Sequence, residues 1–238
     1  MKLIVLSFLI SLFLFVTSVN AQQINWLTDY KIAQKIAAET GQPMLLDFTA
    51  TWCKPCREME SRLWSRADVI EIAAKFVCVK IDYDKDKNLV NKYGVGKLPH
   101  VFTTDSWGAA LNFHRGFSSN AESAIIENML AVPTDFTEIK EAREIMASNK
   151  NNLNALAQIA DFYQQRKFYY LSSEFYNRML KLEKDSAKRE MLMLLLAENY
   201  IQVGWNSEAK KMFEAFKKEF PNSEQIEKIN RTPANLKL

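Results

Sequence analysis

The sequence predicts a mixed α/β sheet covered by helices, followed by an all-α helical-repeat domain. Three observations carry this. Short β-type apolar runs alternate with helical segments up to about residue 131 and then stop. A Pro-containing break, Val132-Pro133-Thr134-Asp135, falls where they stop. Beyond it Leu, Ala, Lys and Glu recur at helical spacing, with internal similarity 37 residues apart (Ala160 and Ala197, Tyr163 and Tyr200). The expected organisation is therefore a leader over residues 1–21, an α/β domain over 22–132, a helical domain over 133–221 and a tail over 222–238.

The leader opens with Met1-Lys2, continues as an uncharged apolar run from Leu3 to Val19, and ends at Val19-Asn20-Ala21. This is the pattern of a secretory signal peptide cleaved after Ala21. The alternative is an uncleaved anchor, for which the run is shorter than the usual ~20 residues. Export to a periplasm or cell envelope is expected, as a soluble protein once the leader is removed.

The elements follow in order. Tyr30 to Glu39 has helical spacing, with Ile32, Ala33, Ile36 and Ala37 on one face and Gly41 ending it. Met44 to Ala50 reads as a buried strand. Cys53 to about Ser65 reads as a helix with Met59, Leu63 and Trp64 inward. Phe76 to Asp82 is a second strand, and Asp86 to Tyr93 a short helix closed by Gly94. His100 to Thr104 and Ala110 to His114 form two strands around a turn at Asp105-Ser106-Trp107-Gly108, and Ala121 to Leu130 is a closing helix. A strand–helix–strand unit followed by helix, two strands and helix implies a mixed sheet with helices on its faces.

In the second half a helix over Ile139 to Ala147 precedes the two similar copies. Phe168 matches Trp205 and Tyr176 matches Phe213, while Ser172 stands where the second copy has Ala209. The series Leu196, Ala197, Tyr200, Ala209, Phe213 and Pro221 resembles the tetratricopeptide pattern, whose period is about 34 residues. A plain helical hairpin bundle is the other reading. Either would offer a surface for another protein.

Composition narrows the function. Apolar residues make up 48%, enough for a packed core. A net charge of +3, with lysines scattered along helical segments, gives no footprint for nucleic acid. Three cysteines do not make a stapled scaffold. Cys53 and Cys56 stand two residues apart in Trp52-Cys53-Lys54-Pro55-Cys56, between an apolar strand and a helix. A sulfur at a helix start meets unpaired N–H groups and the positive end of the helix dipole, which favour the thiolate. The thiolate is the reactive species, and Cys56 can close a small disulfide ring. Zinc is the competing use of such a pair, but it takes four ligands, and no second Cys or Cys/His pair is present. Thiol–disulfide exchange without metal or other cofactor is the expectation. Cys78, in a β-type run, reads as a buried thiol.

Residues 26–131 resemble the thioredoxin family. Asp47-Phe48-Thr49-Ala50-Thr51-Trp52-Cys53 is similar to the family's Asp-Phe-x-Ala-x-Trp-Cys order. Lys92-Tyr93-Gly94-Val95 followed by Leu98-Pro99 looks like its second motif, and Gly116 fits its late glycine. The resemblance implies roles. Cys53 is the attacking nucleophile, exposed at the helix start, and Cys56 the resolving thiol. Asp47, charged within an apolar strand, relays the proton of Cys56 as general base; a frayed strand end is its other reading. Trp52 covers the pair or packs in the core. Pro99 is the family's cis-proline, and with it the backbone of Leu98 pairs with an extended substrate. Lys54 and Pro55 tune the pair, Pro55 in the manner of reducing thioredoxins. His100 is strand packing, surface, or a titrating neighbour. Cys78 falls where thioredoxins often carry a Lys facing the buried Asp, so Asp47 is expected to lack that partner. The implied protein reduces protein disulfides and draws electrons from a membrane-embedded donor. Its rivals are an oxidase or isomerase of the same fold, and a helical adaptor whose first domain mainly binds clients.

Overall fold

The computed structural model describes residues 23–118 and 120–230, so the leader and the last eight residues of the tail lie outside the described residues. The first half comprises α1 (Tyr30–Thr40), β1 (Met44–Thr49), α2 (Lys54–Met59), a π-helical turn (Glu60–Trp64), α3 (Ala67–Ala73), β2 (Val77–Asp82), α4 (Lys87–Lys92), β3 (His100–Thr104), β4 (Ala110–Arg115) and α5 (Ala121–Leu130). The strands form one sheet in the order β2-β1-β3-β4. β1 is parallel to β2 and antiparallel to β3, and β4 is antiparallel to β3. A single parallel bridge from Leu27 to Val79 extends the sheet beyond β2.

Alternation along β1 divides its side chains between two layers. Leu46 and Phe48 face one cluster with Ala33, Ala37, Val79 and Phe102. Leu45 faces the other, with Met59, Leu63, Trp64, Cys78 and Ile125. On α1 only part of the predicted face is covered: Ala33 and Ala37 are buried, but Ile32 and Ile36 are exposed. The small residues let the helix approach the sheet, and the bulkier isoleucines lie beside the contact. The sequence also gave no separate helix for α3, which follows the π-helical turn after only two residues.

The second half is helical: a short 3-10 turn (Thr137–Ile139), then α6 (Lys140–Ser148), α7 (Leu153–Gln165), α8 (Tyr169–Leu182), α9 (Ser186–Gln202), α10 (Asn206–Glu219) and α11 (Gln225–Asn230). The expected tail thus begins with a helix. The 37-residue spacing recurs in the backbone. The N–H of Phe168 donates to Tyr163 O at 2.9 Å, and that of Trp205 to Tyr200 O at 2.7 Å. The residue before each aromatic is left-handed, Lys167 at φ 63° and Gly204 at φ 77°. Ala160, Ala197 and Ala209 are wholly buried, as small residues between close helices must be, and so is Ser172. The Ser172 hydroxyl donates to Gln164 Oε1 and accepts from Asn199 Nδ2, both at 2.8 Å. The serine that departs from the repeat is therefore one member of a buried polar network.

The break at residues 132–135 is no free linker. Phe136 is fully buried and its N–H donates to Gly41 O at 2.8 Å. Gly41 itself has φ 76°, and a side chain there would collide with Thr137. The principal joint lies at the turn after β3. Asp105, fully buried, accepts from the N–H groups of Trp107 and Ala109 at 2.8 Å each. Its other oxygen accepts from Arg143 of α6 at 2.7 Å and from the hydroxyl of Tyr163 of α7. The Arg143 guanidinium also lies over the rings of Trp107 and Phe175, 5.0 and 5.1 Å from their centres. One apolar cluster accordingly runs from Leu45 and Met59 through Phe136 and Ile139 to Phe162, Leu171 and Leu196.

Because β3 is antiparallel to β1, this joint sits at the end of the sheet away from the C-terminal end of β1. Removing the cation would leave a buried, unpaired carboxylate. Arg143→Met is expected to destabilise the protein by about 3–5 kcal/mol. It should do so in one cooperative urea transition, followed by tryptophan fluorescence and far-UV circular dichroism together. Separate transitions in the wild-type chain would refute the shared core.

Candidate redox site

β1 ends at Thr49, and the chain turns at once into α2, with Cys53 as its N-cap. Cys53 and Cys56 are joined by a disulfide, with their Cα atoms 5.3 Å apart. The Cys53 Sγ accepts from the Cys56 N–H at 3.2 Å. The sulfur thus occupies the capping place, where orphan N–H groups favour negative charge. Pro55 falls in the first turn, where its missing N–H leaves no gap in the helix ladder.

The expected exposure of Cys53 is not seen in this oxidised form. Cys53 and Cys56 are 3% and 5% exposed. Ala50, Tyr83 and Leu98 pack against them. Trp52 is 62% exposed, which rules out its core-packing role. Its indole donates to Asp84 Oδ2 at 2.7 Å, and its ring meets Tyr83 edge-on at 6.3 Å. Lys54 and Pro55 face solvent.

On the substrate side, the Leu98–Pro99 peptide bond is cis. Pro99 is buried and its carbonyl accepts from the Gly116 N–H at 2.7 Å, while Leu98 is half-buried beside the disulfide. His100 is fully enclosed, so it is neither a surface group nor available to substrate. It lies between the rings of Phe102 and Phe113, at 4.3 and 5.7 Å, with neither ring nitrogen hydrogen-bonded. Burial, then the charges of Arg115 and His114, push its pKa down to about 4, so it is neutral at ordinary pH.

Asp47 is 2% exposed, in the middle of the sheet rather than at a frayed end. The Trp64 indole donates to its Oδ2 at 3.1 Å, and Oδ1 has no hydrogen-bond partner among the described residues. Lys80 stands beside it as its register partner on β2. The expected loss of the cation is therefore corrected: Lys80 takes that place, and Cys78 lies opposite Leu45. Cys78 and Lys80 share one face of β2, so alternation could not choose between them; only the register with β1 does. Lys80 forms an ion pair with Glu60 and lies 5.1 Å from the centre of the Trp26 ring. Burial raises the Asp47 pKa to about 7, against the lowering pull of Lys80 and the Trp64 hydrogen bond. Cys78, pushed up to about 12 by burial alone, stays a thiol.

A CxxC disulfide capping the helix after a central strand, a cis-proline before the neighbouring strand and a buried Asp within the central strand are the marks of the thioredoxin class of redox domain. The model of the thioredoxin-like family matches residues 25–106 of this chain. Thioredoxin-1 of Drosophila melanogaster is 41% identical over 73 residues, 31% of this chain and 64% of that protein. The chloroplastic M-type thioredoxin of Pisum sativum is 39% identical over 66 residues, 28% of this chain and 36% of that one. Among solved structures, the germline-specific thioredoxin Deadhead of D. melanogaster is 31% identical, with 44% of this chain and 94% of that chain covered and a TM-score of 0.35. The chain spans less than two thirds of the length of these curated relatives.

Sequence reasoning missed Lys80, Glu60, Tyr83 and Asp84 as parts of the site. Lys80 alone carried a local signal, a cation inside the run Val77-Cys78-Val79-Lys80-Ile81.

The folded Asp47 binds its proton more tightly than an unfolded Asp, whose pKa is near 3.8. Stability is therefore lost as pH rises from about 4 to about 7, by about 4 kcal/mol for roughly three pH units. Asp47→Asn is expected to abolish that loss. Urea unfolding of the oxidised protein at pH 4.5 and pH 8 should show the variant gaining several-fold more on wild type at pH 8 than at pH 4.5. An equal difference at both pH values would overturn the assignment.

Proposed function

We propose that this protein is an exported thiol–disulfide oxidoreductase that reduces protein disulfides by dithiol exchange at Cys53 and Cys56. The observation that carries the reading is the Cys53–Cys56 disulfide capping α2, with the buried, partly unpartnered Asp47 on the strand that leads into it. In the reduced form the Cys53 thiolate attacks a substrate disulfide, and the leaving sulfur departs as a thiolate. Cys56 loses its proton to Asp47 and attacks the Cys53 sulfur. The mixed disulfide breaks, the second substrate thiolate leaves, and Cys53–Cys56 is oxidised as the substrate gains two electrons. Leu98 and Pro99 would hold the substrate segment, and the exposed Trp52 would contact it. The dithiol needs no further cofactor.

Export rests on the leader at residues 1–21, and no helix among the described residues is long and apolar enough to cross a membrane. Outside the cytosol a reductase needs reducing equivalents carried across the membrane, so a membrane-embedded donor is the expected partner. The 37-residue recurrence supports a tetratricopeptide-like reading of the helical half, which would bind another protein. Its attachment at the far end of the sheet keeps it off the disulfide.

The deciding measurement is the reduction potential of the pair against glutathione, on the chain from residue 22 onward. A value near about −270 mV is expected, and one above about −180 mV would overturn the reductase direction in favour of an oxidase or isomerase. Cys53→Ser should reduce insulin-disulfide reduction to background, whereas Cys56→Ser should accumulate a covalent substrate adduct that dithiothreitol releases. Wild-type function in a Cys53→Ser cell strain would favour the adaptor reading.

A further inference from the structure

Asp47 is held by more than its strand. The π-helical turn carries Glu60 and Trp64 four residues apart, so both side chains point from one face toward β1 and β2. Glu60 takes the Lys80 ammonium, and Trp64 takes Asp47 Oδ2. Trp64 is 3% exposed and packed edge-on against Trp26 at 5.4 Å, which fixes the direction of its N–H. On the other side of Asp47, its β3 register partner Val101 brings no charge. The charged or polar groups acting on the carboxylate are therefore Lys80, Glu60 and the Trp64 indole.

We propose that Trp64 is a positioning residue for proton transfer at the disulfide: its indole N–H pins Oδ2 of Asp47 and leaves Oδ1 as the oxygen that accepts the proton of Cys56. This rests on the exchange reading above. A carboxylate with one oxygen held by a buried donor favours one rotamer, so the unpartnered oxygen favours one direction. The donated hydrogen bond also favours the ionised form, the form that can act as a base. In the resolving step the Cys56 S–H bond breaks, and the proton passes to Oδ1. The Cys56 thiolate then forms the S–S bond with Cys53 as the bond from Cys53 to substrate breaks. The substrate thiolate leaves with the electron pair, and Asp47 returns its proton to water.

The test uses the full chain and Trp64→Phe, which keeps an aromatic ring and deletes the donor. The rate at which the Cys53 mixed disulfide resolves is followed by rapid quench from pH 5 to 9. The midpoint is expected to rise by about one pH unit, a tenfold slower step on the acid side. In an Asp47→Asn background the same substitution should leave the profile unchanged. An unshifted midpoint, or an equal shift in that background, would overturn the proposal. A second measurement needs no variant: in wild-type protein the Trp64 indole N–H resonance should titrate with the Asp47 carboxyl resonance, and a pH-invariant signal would likewise overturn it. Failure of the wild-type chain to form any mixed disulfide would overturn the exchange reading and this proposal together. A normal mixed disulfide with an unshifted profile would overturn this proposal alone.

Discussion

The carboxylate of Asp105 is the constraint on which both halves of the molecule depend. One of its oxygens holds the tight turn between β3 and β4, and the other receives Arg143 and Tyr163 from the helices. A buried charge is tolerated only when it is paired and hydrogen-bonded. The turn cannot keep its shape without a partner that belongs to the helical half, and Arg143 in turn is enclosed by Trp107 and Phe175. The phenol of Tyr163, buried against the same carboxylate, has its pKa raised well above the ordinary tyrosine value. The joint is thus electrostatic at its centre and aromatic at its rim.

The redox end is built on the opposite principle. Asp105 is saturated with donors, whereas Asp47 has one donor, a neighbouring cation shared with Glu60, and one oxygen without a partner. Saturation holds structure in place; an unfilled buried acceptor has room for a proton. Asp47 lies within β1 and Asp105 in the turn that follows the neighbouring β3, yet one is saturated with donors and the other is not.

Most of the α/β half was legible because its signals are local. The turn at Asp105 to Gly108, the limits of the last helix and the Trp-Cys-x-x-Cys segment each follow from a few consecutive residues. What escaped depends on register and on distant packing. Lys80 and Cys78 share one face of β2, so naming the partner of Asp47 required the pairing of two strands far apart in sequence. The exposed Ile32 and Ile36 satisfy the helical periodicity as well as the buried alanines beside them do. Trp52 reads as a core residue by type but finds its partner in Asp84, after β2. In the helical half the repeat was visible, whereas the roles of Ser172 and Tyr163 were not, since their partners lie on other elements.

The placement of the joint gives the molecule a polarity. The disulfide lies at one pole of the sheet and the helices grip the other, through a core that leaves no hinge at residues 132–136. A partner docked on the helices, as proposed above, would stand about the length of a six-residue strand and its flanking turns, or roughly 20 Å, from the sulfurs, and reach would then decide which bonds it could bring to them.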